Sequence, residues 1–188
     1  VLGKIIEKQK SEGKKELTIW SAGCSSGEEP YTLGIMLHEL LSGSIIGWNI
    51  TITANDISPE MIKKAREGIY NEHTLRSTPQ QILYKYFTKE ATGYRIHPKV
   101  QKLINFDVLN LNDPQAVKQV PKSQIVFCRN VIIYFDDEMR KKVLNLFYDN
   151  LCPRGFLVLG HTESIHKYSR AFKPYHSAGG VIYQKQDG

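Results

Sequence analysis

Glycines and acidic residues that could bind a ligand cluster in the segment AGCSSGEEP, which follows the apolar run LTIWS. The spacing of Gly23 and Gly27 is not the GxGxxG of dinucleotide-binding domains, but both would let a ligand approach the backbone. Glu28 and Glu29 would repel a pyrophosphate and attract an amino group or a sulfonium. The segment is equally typical of a tight turn whose acidic residues suit the dipole of the next helix.

Carboxylates, amides and an arginine follow three further apolar runs. Asp56 ends the run ITITAN, where nucleotide-binding α/β domains hold ribose hydroxyls, although it could instead cap the next helix. Asp107 and Asn110, in FDVLNLND, suit the edge and face of an adenine, or form a turn. Arg129 and Asn130 interrupt the apolar pattern of CRNVIIYF. Because buried polar groups need partners, we expect these two to face a ligand or a hydrogen-bond network.

Neither a metal centre nor an activated cysteine is indicated by the sequence. The segment from His161 to Glu163 has no second His or Cys at metal-ligand spacing, so we expect no metal. The three cysteines are too far apart for a CxxC pair, and their odd number argues against a disulfide framework. We therefore expect a reducing, cytoplasmic compartment.

Composition and charge are those of an ordinary globular domain. The chain has 188 residues, 41% hydrophobic and 23% charged, which excludes collagen, coiled coil and extended disorder. Its 25 Lys and Arg against 19 Asp and Glu give a net charge of +6. This excess favours an acidic partner and leaves nucleic acid, anionic lipid and an acidic protein open. No apolar run approaches the roughly 20 residues that a membrane helix needs.

The elements that must position these segments alternate between strand and helix. Helices are predicted to begin near Pro30 and Ser58, and a longer one to span residues 137–151. Strand-like runs lie at residues 17–21, 50–54, 103–108, 124–129 and 156–159. This alternation predicts a doubly wound parallel sheet, with the ligand at the carboxyl ends of its strands.

Two other stretches have weaker patterns. A helix is predicted to begin in a capping box at Thr78, and the residues after it look like turns with short extended pieces. The run AFKPYHSAGGVIYQK predicts a hairpin with Gly179 and Gly180 at its tip, which would add an antiparallel edge to the sheet.

Four segments, in this order, resemble the chemotaxis receptor methyltransferases of the CheR type: WSAGCSSGEEPYTLGIML, ANDISPEMIKKAREGIY, FCRNVIIYFD and GFLVLGHTES. The similarity runs from about residue 17 to residue 185. Members of this family esterify glutamate side chains on the cytoplasmic helical bundle of chemoreceptors and so set adaptation in bacterial chemotaxis. The resemblance implies a cytoplasmic protein-glutamate O-methyltransferase with a Rossmann-like class I sheet. Its methyl donor would be S-adenosyl-L-methionine and its product S-adenosyl-L-homocysteine.

The resemblance also implies roles for individual residues. Tyr134, which the sequence alone leaves as either a core or a site residue, would lie near the transferred methyl group and position the substrate. The implied cofactor contacts are Gly23, Glu28 at the methionine part, Asp56 at the ribose, Asn110 and Leu111 at the adenine, and Asn130 and Val131 between ribose and methionine.

Family members begin with a small helical domain and a linker, and we expect residues 1–188 to comprise the methyltransferase domain without them. A small receptor-facing insert of antiparallel strands is expected at about residues 84–106. Between residues 85 and 102, five basic residues have only Glu90 as an acidic neighbour in sequence. We hypothesise that this insert steers a glutamate-rich receptor, although a merely solvated face is the alternative. The implied receptor-binding residues are Lys85, Arg95, Lys99 and Lys102.

Two other functions stay open at this point. The positive charge suits a methyltransferase acting on nucleic acid, but no aromatic residues alternate with the basic ones as base stacking would require. A non-catalytic module that binds receptors or the cofactor is the second. With the resemblance, we expect the cytoplasmic domain of chemoreceptors as partner, no nucleic acid, no membrane insertion and a monomer.

Overall fold

The computed structural model describes residues 1–42, 45–177 and 180–186. The strands are β1 Glu16–Ala22, β2 Asn49–Asp56, β3 Ile69–Tyr70, β4 Phe87–Glu90, β5 Gly93–Ile96, β6 Ile104–Val108, β7 Ser123–Cys128, β8 Leu151–Leu159, β9 Phe172–Ser177 and β10 Gly180–Lys185. The helices are α1 Leu2–Ser11, α2 Glu28–Leu41, α3 Pro59–Glu67, α4 Gln80–Tyr86, α5 Pro98–Gln101, α6 Pro114–Lys118 and α7 Asp137–Asn150. A 3₁₀ turn covers Ile132–Tyr134.

Seven strands form the main sheet, in the order β6-β2-β1-β7-β8-β10-β9. The strands from β6 to β8 pair in parallel, and the hairpin of β9 and β10 adds antiparallel pairs at one edge. The predicted α/β fold with its C-terminal hairpin is therefore confirmed, while Gly179 at the predicted tip lies outside the described residues. The chain runs outward from β1 in one direction and from β7 in the other, so the switch point lies between these two strands.

The two faces of the sheet bury separate apolar clusters because side chains alternate along each strand. In β1, Ile19 belongs to the cluster that α1, α2 and α3 cover, whereas Trp20 belongs to the one beneath α6 and α7. The ring of Trp20 meets Phe147 of α7 edge-on, with centroids 5.2 Å apart. Helices on both faces leave the strand ends as the open edge of the domain.

A separate three-stranded antiparallel sheet, in the order β3-β5-β4, lies between α3 and β6 in the chain. It starts at Ile69, ahead of the range 84–106 expected for the insert, and residues 98–101 of that range form α5 instead. Tyr86, at the end of α4, is 1% exposed and donates its hydroxyl hydrogen to Glu39 of α2. This hydrogen bond ties α4 to α2, while Tyr70 of β3 and Ile96 of β5 are buried in the apolar cluster that α1, α2 and α3 cover.

Three local predictions need correction. The capping box at Thr78 is wrong, because Pro79 is extended (φ −56°, ψ 141°) and α4 starts after it without a side-chain cap. The strand predicted at 156–159 begins already at Leu151, with a register shift opposite Ser123. The strand predicted at 124–129 ends at Cys128, which moves Arg129 into the following loop.

Candidate functional site

A cavity of about 630 Å³ opens at the carboxyl ends of β1, β2, β6 and β7. Its volume lies within the range usual for small-molecule sites. The structure brings all eight residues that were expected around the cofactor and the methyl group to the lining of this one cavity: Gly23, Glu28, Asp56, Asn110, Leu111, Asn130, Val131 and Tyr134. Residues from both halves of the sheet therefore meet at the switch point.

The loop after β1 approaches the loop after β7 closely at Gly23. This residue has a left-handed φ of +78°, and an added Cβ would lie 2.5 Å from Cγ2 of Val131. Its N–H donates to the carbonyl of Asn55, with N and O 2.8 Å apart. Any side chain at this position would therefore push the two loops apart.

Asp56 holds the start of α3, which is one of the two roles that its sequence position left open. Its Oδ1 accepts a hydrogen bond from the N–H of Ser58, the N-cap of α3, at 3.0 Å. Its Oδ2 accepts one from the N–H of Ser25 at 2.8 Å and so holds the loop after β1. Because each carboxylate oxygen can accept a second hydrogen bond, the side chain still has capacity for ribose hydroxyls.

The two adjacent glutamates have different environments. Glu28 is exposed at the cavity, and Oγ of Ser26 donates to it at 2.8 Å. Glu29 is half-buried, accepts from Oγ of Ser21 at 2.8 Å and lies with its Oε2 3.6 Å from Nη1 of Arg129. Burial raises the pKa of Glu29 above its usual range, against the opposing effects of Ser21 and Arg129. Glu28 is therefore the glutamate that is open to a ligand, while Glu29 holds Arg129.

The segment after β7 is only partly buried, with Ile132 2% exposed. Arg129 and Asn130 are exposed at the cavity, and Asn130 has a left-handed φ of 58°. Tyr134 is 82% exposed, which excludes the core role that the sequence left open. Arg129 pairs with Glu29, so it has the partner that the sequence led us to expect. Both side chains line the cavity together with the eight residues expected around the cofactor and the methyl group.

Further cavity residues were not predicted. Burial raises the pKa of Cys24 to about 12, so its thiol is protonated at neutral pH and is not an activated nucleophile. Asn55 is 3% exposed and joins three strand ends, since it accepts from Trp20 Nε1 at 3.0 Å and donates to the carbonyl of Asp107 at 3.2 Å. A polar residue at the end of an apolar strand was the available signal for Asn55.

The expected receptor-binding residues differ in whether an acidic side chain forms an ion pair with them. Lys85 pairs with Glu39 at 2.6 Å, and Arg95 binds both carboxylate oxygens of Glu90, at 2.5 and 3.1 Å. Glu90 is thus not the only acidic neighbour of these residues, because folding brings Glu39 to them. Lys99 stacks its Nζ 4.6 Å from the ring centroid of Tyr86, and Lys102 is exposed. Within the ranges that the structure describes, neither Lys99 nor Lys102 forms an ion pair.

No group of three His, Cys, Asp or Glu side chains in residues 1–42, 45–177 and 180–186 could hold a metal ion. Across the same ranges, no helix has the length and apolar character needed to cross a membrane.

Comparison with known proteins gives matches over nearly the whole chain. The family model "CheR methyltransferase, SAM binding domain" matches residues 1–181. The chemotaxis protein methyltransferase of Borreliella burgdorferi is 37% identical over 166 residues, which cover 88% of this chain and 58% of that protein. Chemotaxis protein methyltransferase 2 of Vibrio cholerae is 37% identical over 83% of this chain and 54% of that protein. The chain thus spans little more than half the length of these relatives.

Among solved structures, the rRNA methyltransferase AviRa of Streptomyces viridochromogenes matches with a TM-score of 0.56. The match covers 98% of this chain and 83% of that chain at 12% sequence identity. At this identity the likeness concerns the fold alone, and it carries no information about the methyl acceptor.

Proposed function

Because this chain belongs to the CheR methyltransferase family, we propose that it transfers the methyl group of S-adenosylmethionine to glutamate side chains of chemoreceptors. One observation carries the proposal: the eight residues expected around the cofactor and the methyl group line a single cavity. The motif resemblance supports the choice of acceptor. The protein would act in the cytoplasm, as a monomer, on the cytoplasmic helical bundle of the receptor.

The cavity residues fit the chemical groups of S-adenosylmethionine. Glu28 offers an exposed carboxylate for the amino group of the methionine part, and Asp56 has unused acceptor capacity for the ribose hydroxyls. Asn110 and Leu111, after β6, provide a polar and an apolar side chain for the adenine. The absence of a side chain at Gly23 leaves the backbone open to a close approach. Asn130 and Val131 would complete the site between ribose and methionine.

The reaction demands little from the protein besides alignment. S-adenosylmethionine, when bound, supplies an electrophilic methyl group on a sulfonium. The acceptor glutamate has a reference pKa of about 4.3 and is ionised at neutral pH, so no general base is required. Holding the reacting groups in line can lower the barrier by about 7–11 kcal/mol. Tyr134, exposed at the cavity, is suited to donate its hydroxyl hydrogen to the acceptor carboxylate and so orient it.

Recognition of the receptor would rest on the basic residues around the small sheet. Lys99 and Lys102 carry charge that no ion pair neutralises within the described residues, whereas Lys85 and Arg95 face Glu39 and Glu90. The first two are therefore expected to contribute more to attraction of an acidic helical bundle. Lys85 and Arg95 would contribute chiefly by holding the surface in shape.

The decisive experiment incubates the chain with methyl-labelled S-adenosylmethionine and a cytoplasmic chemoreceptor fragment. Label that alkali releases, as expected of a methyl ester, supports the proposal. A receptor fragment with its acceptor glutamates changed to glutamine serves as the control. Because family members begin with a helical domain, a fusion to that domain from a relative is tested in parallel. Label in RNA instead would favour a nucleic-acid methyltransferase. Cofactor binding without any transfer, even in the fusion, would favour a non-catalytic module.

A further inference from the structure

The side chain of Glu163 serves as a common acceptor for four backbone N–H groups. It follows β8, is 8% exposed and accepts through Oε2 from Asn130 at 2.9 Å and from Gly160 at 2.6 Å. Through Oε1 it accepts from Val131 at 3.0 Å and from Ile133 at 3.3 Å. Three of the four donors belong to the single segment 130–133, which lies between β7 and α7. Charge-assisted hydrogen bonds of this kind are stronger than neutral ones.

Arg140 of α7 binds the carbonyl groups of the same segment. Its Nε donates to the carbonyl of Ile132 at 2.9 Å, and its Nη2 donates to that of Ile133 at 3.3 Å. Its Nη1 donates to Oη of Tyr168 at 2.7 Å, and so the guanidinium is itself fixed in place. Segment 130–133 is thus held through its N–H groups by Glu163 and through its carbonyls by Arg140.

The segment depends on these two side chains because it has little regular structure of its own. It contains one 3₁₀ turn, and Asn130 at its start has a left-handed φ of 58°, a conformation that asparagine tolerates better than most residues and that interrupts any regular element. The contact with Gly160 is also close, since a Cβ there would lie 2.2 Å from Oδ1 of Asn130 and 2.8 Å from Oε2 of Glu163. The strand end, the carboxylate and the segment therefore pack as one unit.

We infer that Glu163, supported by Arg140, is a positioning residue that holds segment 130–133 in the conformation needed to bind the cofactor. The inference rests on the proposed function, because Asn130 and Val131 are two of the residues proposed to contact S-adenosylmethionine. Neither Glu163 nor Arg140 lines the cavity, so both act through the backbone that they bind.

Glu163→Gln tests this directly, because it preserves the shape of the side chain but leaves one acceptor oxygen. Whichever way the amide turns, its NH₂ faces two backbone donors: those of Asn130 and Gly160, or those of Val131 and Ile133. The segment must then move away from its present position. Glu163→Asp keeps both oxygens on a shorter side chain and is expected to retain more affinity.

The measurement is the Kd for S-adenosylhomocysteine by titration calorimetry, well below the unfolding temperature of each variant. We expect E163Q to raise the Kd about tenfold or more, and E163D to raise it less. Glu7→Gln, at an exposed carboxylate of α1, is the control that should bind as the wild type does. A merely structural role would lower the unfolding temperature and leave the Kd of the folded protein unchanged. A rise in Kd below about tenfold for folded E163Q would overturn the inference.

Two further results keep the test decisive. If E163Q does not fold, Arg140→Gln replaces it, since that side chain is one-quarter exposed and its loss is easier to accommodate. R140Q is expected to raise the Kd about threefold or more, and a smaller rise would overturn the inference. If the wild type binds S-adenosylhomocysteine neither as this chain nor in the fusion to the helical domain, the proposed function fails. If the wild type binds and the variants bind equally well, only the role of Glu163 and Arg140 fails.

Discussion

Substituting Gly23 by alanine should destabilise the protein by two separable effects. The residue has φ +78°, a conformation that disfavours any Cβ, and the new Cβ would lie 2.5 Å from Cγ2 of Val131. Val131 cannot move freely, because Glu163 holds its N–H at 3.0 Å. The backbone and the neighbouring side chain therefore both oppose the change.

The chain offers a control that isolates the backbone effect. Gly13 has φ +68° and nothing within 4 Å of an added Cβ. Gly13→Ala should therefore cost only the left-handed strain of about 1–2 kcal/mol. Gly23→Ala should add overpacking of about 1–3 kcal/mol, for a total of about 2–5 kcal/mol. Combining it with Val131→Ala should remove most of the overpacking, and this would appear as favourable coupling between the two sites.

The assay is urea unfolding followed by circular dichroism, with the free energy of unfolding compared among wild type, G13A, G23A, V131A and the double variant. If G23A loses no more free energy than G13A, the close approach between the loops after β1 and β7 is not as described. The same conclusion follows if the double variant loses as much free energy of unfolding as G23A and V131A lose together, since the two sites would then not be coupled.

Three further predictions concern the proposed activity. Asp56→Ala should weaken binding of S-adenosylhomocysteine about tenfold or more. The control Asp113→Ala also removes a carboxylate bound to two backbone N–H groups and should leave the affinity unchanged. Equal calorimetric affinities for the two variants would refute the ribose assignment. Tyr134→Phe should lower kcat about tenfold without changing that affinity, because in the proposed role the exposed hydroxyl would contact the acceptor and not the cofactor. An unaltered kcat would contradict this role. Joint replacement of Lys99 and Lys102 by glutamate should raise KM for the receptor fragment and flatten the salt dependence of KM, measured by steady-state kinetics. A KM and salt dependence like those of the wild type would exclude electrostatic steering by these residues.

The main sheet could be predicted because its strands and helices have strong, local patterns. Ile50 to Ala54 is a β-branched run typical of a strand, and Leu33, Leu37 and Leu41 recur at helical spacing; both elements are found where they were expected. Strand β3 could not be predicted, since two residues are too few for a pattern. Its structure depends on pairing Ile69 with Arg95, far along the chain.

The cavity residues could be predicted for a topological reason. The carboxyl ends of parallel strands meet at one edge, so polar residues that follow different strands come together even when they are far apart in sequence. Charge pairing follows no such rule. Lys85 was expected to face only Glu90, but its partner is Glu39, 46 residues earlier, which the fold of α2 brings beside α4.

The positioning of segment 130–133 was also beyond prediction. The sequence offers Glu163 only as a metal ligand without partners. Its actual partners are backbone N–H groups, which have no signature in the sequence. The signal that could have found it is an acidic residue placed shortly after Gly160 at the end of an apolar strand. Such a residue must be neutralised or hydrogen-bonded if it is buried.

The small sheet has a consequence for how this protein can diverge. The cofactor cavity takes no side chain from residues 58–108, all of which the structure describes, and that stretch contains the small sheet with α3, α4 and α5. Mutations at the exposed positions of the small sheet can therefore accumulate while the lining of the cavity stays unchanged. Buried positions are constrained, among them two tyrosines that join this stretch to α2 and to the loop before α2: Tyr70 donates to the carbonyl of Ser26 and Tyr31 to that of Ala65, each at 2.7 Å. A lineage that keeps these contacts can change the exposed face of the small sheet without changing the side chains that line the cavity.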